Sequence, residues 1–214
     1  MTLSDFITII QSQPDGVILL EGRRNIPVSD YEHATRLARS LAQRFPPIRF
    51  RSGNAEGADQ AFSEGVAQVN ASRLQVIAPY ASHRKSFCYA DAIYVTPDSL
   101  SRIQEDEIAY KTKEATPKNK GLVDGRTERR RLAAKAAYLI RDTMKVTGYS
   151  EDFRKPICAL FYVDINDPMA GGTGHTIRVC EQEGVPVVFQ NSWKDWIEED
   201  VEQADGGNRS SASA

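Results

Sequence analysis

Short, continuous apolar runs alternate along this chain with longer stretches in which apolar residues recur every three or four positions. The runs at 17–20, 157–163 and 185–189 are apolar throughout, and those at 48–51 and 74–78 are apolar but for Arg49, Arg51 and Gln75. They predict strands covered on both faces. Before the first of them Leu3, Phe6, Ile7 and Ile10 keep helical spacing, as do Tyr31, Ala34, Leu37, Ala38, Leu41 and Phe45 between the first two. The second of these helices is expected to start at Ser29 as N-cap, with Glu32 as its capping-box partner, and to stop at Pro46-Pro47. Further helices are predicted over 58–69, 126–146 and 173–182, the last closed by Gly184.

Strands and helices in alternation, joined by right-handed crossovers, make an α/β fold: a Rossmann-like, mainly parallel sheet with helices on both faces. Residues 81–125 break the pattern. Within them 91–94 reads as a short helix or strand, Glu105-Asp106-Glu107 as part of a helix, and 116–125 as an exposed loop. The expected organisation is one domain over 1–200, with a helical insertion at about 81–155 and a low-complexity, disordered tail over 201–214. Trp193 and Trp196, three apart, are expected to pack from one helical face against the last strand.

Composition narrows the function classes. Hydrophobic residues at 41% and charged residues at 26% suit a soluble globular protein. A formal net charge of -2 supplies no global basic field for nucleic acid. Cys88, Cys158 and Cys180 are odd in number and form no C-x-x-C pair, which predicts reduced thiols and a cytoplasmic protein. His33, His83 and His175 belong to no ligand motif, so neither a metal nor a cofactor is expected. Asp5 stands where a secretory signal wants basic residues, and no apolar run approaches the ~20 residues of a membrane span.

The candidate chemistry lies in two glycine-rich, hydroxyl-rich stretches, Ser52-Gly53-Asn54-Ala55-Glu56-Gly57-Ala58-Asp59 and Gly171-Gly172-Thr173-Gly174-His175-Thr176. Each follows a predicted strand and opens a predicted helix. In a parallel sheet such turns lie at the carboxyl ends of strands, where backbone N–H groups approach a phosphate. Ser52, Thr173 and Thr176 carry hydroxyl donors, while Arg23 or Arg24 supplies charge.

These stretches, with the Gly22-Arg23-Arg24 turn before them and the Gly184-Val185-Pro186-Val187 segment after them, resemble the SLOG superfamily. That Rossmann-like group includes YspA-like proteins, the DNA-processing protein A family and LOG-type phosphoribohydrolases. The resemblance implies a pocket for a nucleotide or nucleotide-derived signal built from Gly22, Arg23, Arg24, Ser52, Gly53, Asn54, Ala55, Asp59, Gly171, Gly172, Thr173, Gly174, His175 and Thr176. It also implies a homodimer. LOG-type enzymes carry glutamates soon after the second turn, where this chain has Ile177 and Arg178. Binding without turnover is therefore the leading reading.

Two alternatives stand beside it. A hydrolase of N-glycosidic or phosphoester bonds would draw on Glu56, Asp59 or His175. A nucleic-acid-binding module would use the helix bearing Arg126, Arg129, Arg130, Lys135 and Arg141, although Glu128 and Asp142 interrupt its charge.

Overall fold

The computed structural model describes residues 1–128 and 130–196. Six strands, β1 (Val17–Gly22), β2 (Arg49–Ser52), β3 (Leu74–Ile77), β4 (Ile93–Val95), β5 (Cys158–Tyr162) and β6 (Val187–Phe189), form one sheet in the order β4-β3-β2-β1-β5-β6. Every neighbouring pair is parallel. This is the α/β, Rossmann-like arrangement expected from the alternating runs. The helices are α1 (Leu3–Ser12), α2 (Val28–Arg44), α3 (Ala58–Asn70), α4 (Arg102–Ala115), α5 (Lys120–Asp124), α6 (Arg130–Thr147) and α7 (Gly171–Glu183), and 190–196 is also helical.

Why the strand runs are continuously apolar is visible in their two-sided burial. Ile18, Leu20, Cys158, Leu160 and Tyr162 join a core with α1, α2, α3, Trp193 and Trp196. Their strand neighbours Leu19, Ala159, Phe161 and Val163 face the other way, into a core with Ile177, Val179 and Cys180 of α7. Trp193 donates from its indole to the Phe161 carbonyl (3.0 Å), and Trp196 stacks at a tilt on Phe6, with centroids 4.7 Å apart.

Of the helix or strand left open over 91–94, residues 93–95 form a strand at the edge of the sheet. Two other sequence expectations are corrected. The helix expected at Ser29 starts at Val28 behind Pro27, with no side-chain cap, because Pro27 already holds the extended geometry of that position (φ -58, ψ 152). Instead of an exposed loop, 116–125 contains α5, with Thr116 and Val123 buried against the neighbouring helices. The tail over 201–214 and Arg129 lie outside the described residues. Among those described, no helix is long and apolar enough to cross a membrane.

Candidate functional site

The chain leaves β1 towards β2 on one side, and β5 is laid down on the other. The loops after β1 and β5 diverge there and open a crevice at the carboxyl ends of the strands. Its volume is about 650 Å³, within the range of small-molecule sites. The wall from the β1 loop is Glu21, Gly22, Arg23, Arg24 and Asn25, and Ala55 and Asp59 come from the second loop. Asp164, Asp167 and 170–173 form the wall after β5, while Asn119, Leu122, Lys135, Tyr138, Leu139, Arg141 and Asp142 come from α5, α6 and the turn before them.

The two glycine-rich turns differ in kind. The first is closed by the protein itself. Asp59, 1% exposed, accepts N–H bonds from Gly22 (3.0 Å), Gly53 (3.2 Å) and Ala55 (3.3 Å), so its carboxylate occupies the nest of amides that a ligand anion would otherwise fill. Gly57, with φ +75, brings the start of α3 under the β1 loop: a Cβ there would lie 2.0 Å from the Arg24 carbonyl oxygen. Ser52 is buried and donates to the Asp59 carbonyl (3.5 Å), and the side-chain amide of Asn54 donates to the His83 carbonyl (3.4 Å). Neither lines the crevice, nor does Gly53. Glu56 is exposed and does not line the crevice.

The second turn is open. Ala170, the N-cap of α7, makes no side-chain cap, and the Gly174 N–H donates to the Ala170 carbonyl (2.9 Å). The amides of Gly171, Gly172 and Thr173, orphaned by helix geometry, meet no acceptor among the described residues. Gly171 needs its glycine for φ +59. Gly174 is tight rather than open, because a Cβ would sit 1.9 Å from the Met169 carbonyl oxygen.

His175 and Thr176 turn inward. His175, 1% exposed, hydrogen-bonds through Nδ1 to Thr116 Oγ1 (2.8 Å) and through Nε2 to Thr143 Oγ1 (3.0 Å). Burial holds its pKa below the ordinary histidine value. It ties α7 to α6 and to the end of α4 and does not face a phosphate. Thr176 Oγ1 donates to Glu21 Oε1 (3.0 Å).

Beneath the open turn lies a buried charge cluster that the sequence reading did not single out. Lys145 Nζ stands 2.7 Å from Glu21 Oε2 and 2.8 Å from Asp142 Oδ1, and Arg141 Nε is 3.1 Å from the same Oδ1. These are close ion pairs whose angles fall outside directed hydrogen-bond geometry. Arg141 also donates to the Gly53 carbonyl (2.8 Å), joining α6 to the first turn. Burial pushes the Glu21 carboxyl up to about 7, against the pull of Lys145. Asp142 goes the other way: despite burial, Arg141 and Lys145 hold it below the usual carboxylate range. The signals in sequence were an acid ending the apolar run 17–20 and the i, i+3 pair Asp142 and Lys145 within a helix otherwise read by its basic face.

That basic face is divided. Arg141 is buried in the cluster, Arg126 pairs with Glu105 (2.9 Å), and Lys135 belongs to the crevice. Arg23, across the mouth, pairs with Asp164 (2.9 Å). Cys158 and Cys180 are buried and Cys88 is exposed, all three as free thiols.

No protein-family model and no curated protein matches the chain. Among solved structures it is similar to DNA processing protein A from Helicobacter pylori, a structure described for its single-stranded DNA binding mode. The identity is 12% and the TM-score 0.41, over 83% of this chain and 67% of that one.

Proposed function

We propose that the crevice binds a nucleotide or nucleotide-derived molecule, with a phosphate on the uncapped start of α7, and that the chain is a SLOG-like binding protein. The observation that carries this reading is the set of three free amides, Gly171 to Thr173, opening onto a crevice of about 650 Å³. Oriented amides and the positive end of the helix dipole favour a dianion there. Arg23 and Arg24 border the same space. Asp142, which also approaches Gly172, is already neutralised by Lys145 and Arg141.

Calorimetry with nucleoside monophosphates tests the reading, using Gly172→Val as the control. A Cβ at Gly172 has only Asp142 Oδ2 nearby, at 3.1 Å, so the variant should fold while its side chain screens the amides. Wild-type binding lost in Gly172→Val is expected, and unchanged affinity would move the ligand elsewhere. Binding only to single-stranded oligonucleotides, with steep salt dependence, would favour the nucleic-acid alternative.

A second reading, hydrolysis of an N-glycosidic or phosphoester bond, is favoured by one observation. Glu21 lines the crevice, and burial raises its carboxyl to about 7, the direction that suits general acid–base work. Release of free base or inorganic phosphate from nucleotides, lost in Glu21→Gln, would establish it. Of the acids and base first considered, Glu56 and His175 stand outside the crevice, and Asp59 is committed to three backbone amides.

A further inference from the structure

The open turn accounts for one part of the crevice, and the wall from α5 and α6 has another chemistry. Tyr138 lies one helical turn before Asp142, which itself approaches Gly172. Four residues at 1.5 Å each place its backbone about 6 Å further along α6, roughly the separation of a base from its 5′-phosphate. Beside it Leu122 and Leu139 give apolar surface. The Tyr138 ring is braced by Tyr80 (centroids 6.2 Å apart, 85°) and His83 (5.9 Å, 86°), which are themselves perpendicular (5.3 Å, 83°). All three contacts are edge-to-face rather than parallel stacks, and the Arg141 guanidinium carbon lies over the Tyr138 ring, 5.9 Å from its centroid. Among the described residues nothing hydrogen-bonds the side-chain amide of Asn119, which lines the same wall.

We infer that this wall is a nucleobase subsite, in which a planar heterocycle lies against the Tyr138 ring between the apolar flanks of Leu122 and Leu139. The inference rests on the nucleotide reading above and adds to it that the base, besides the phosphate, is recognised. An aromatic ring braced edge-to-face is a preordered platform, and every base offers it a π face. The Asn119 amide supplies one donor and one acceptor for the edge of the base.

The test compares ribose 5-phosphate with AMP, GMP, CMP and UMP by calorimetry, on wild type, Tyr138→Leu and Tyr138→Phe. The tightest nucleotide is expected to bind about ten- to a hundredfold more strongly than ribose 5-phosphate. Tyr138→Leu should erase that advantage and leave ribose 5-phosphate binding unchanged, while Tyr138→Phe should retain it. Nucleotides that bind wild type no better than ribose 5-phosphate overturn the subsite and leave the phosphate site standing, even if Tyr138→Leu fails to fold. Failure of all five to bind overturns both.

Discussion

Asp59→Asn isolates the device that closes the first glycine-rich turn. The carboxylate takes Gly22 N–H on Oδ1 and both Gly53 and Ala55 N–H on Oδ2, in a position 1% exposed. An asparagine amide has one acceptor oxygen, so whichever way it turns its NH2 group faces at least one of these donors. Leaving one buried N–H unpaired costs about 1–3 kcal/mol, and weakening the remaining charge-assisted bonds to neutral ones adds about 1 kcal/mol. The expected loss is therefore about 2–4 kcal/mol, or roughly 4–16 °C in melting temperature for a chain of this length. Urea unfolding should show a lower midpoint at unchanged slope. Glu56→Gln, an exposed carboxylate in the same turn, should stay within about 0.5 kcal/mol of wild type. An Asp59→Asn midpoint as close to wild type as that of Glu56→Gln would refute the argument that the carboxylate fills the amide nest.

Glu21 predicts a pH dependence: its folded value is raised from 4.5 to about 7, so across that window the folded state keeps a proton that the unfolded state has lost, and stability falls as pH rises. His83 and His175, both held below their ordinary value by burial, push the opposite way, so the readout is the difference between wild type and Glu21→Gln. That difference should move in favour of the variant by about 1 kcal/mol or more between pH 5 and pH 8, and a flat difference would contradict it. Gly174→Ala should cost about 1–3 kcal/mol or more, since its Cβ would collide with the Met169 carbonyl, while Gly121→Ala, with open space around it, should be neutral or stabilising in the same urea assay.

Two-sided burial made most of the sheet legible. Strands packed on both faces are apolar throughout, and the runs at 17–20, 157–163 and 185–189 stood out for that reason, whereas 48–51 and 74–78 carry Arg51 and Gln75, which are buried and hydrogen-bonded to each other (2.7 Å). The type of β4 stayed open between helix and strand because it is a three-residue edge, none of whose residues is fully buried. At the site, sequence located both turns but not their difference. Glu56 and Asp59 are equivalent as acidic residues near the start of a helix. Only the phase of α3 behind Gly57 decides that Asp59 turns back into the loops and Glu56 turns out. The same holds for His175 and Thr173, two positions apart on α7: one enters the core and the other borders the crevice. Glu21 was hidden differently. A charge at the end of a buried strand has meaning only once its partner is known, and Lys145 is more than 100 residues away.

That partner joins the elements that wall the crevice. Glu21 ends β1, Asp142 and Lys145 sit on α6, and Thr176 belongs to α7, so one ammonium group and one hydroxyl tie together the three elements that border the open turn. Removing one partner of such a buried set leaves an uncompensated charge, at a cost of about 3–5 kcal/mol, whereas the intact set contributes little net stability because its desolvation offsets its attraction. Selection for stability alone would favour apolar replacements here. The cluster makes physical sense as a device of the crevice: it neutralises Asp142 beside the amides of α7, while burial raises the Glu21 carboxyl on the crevice wall to about 7.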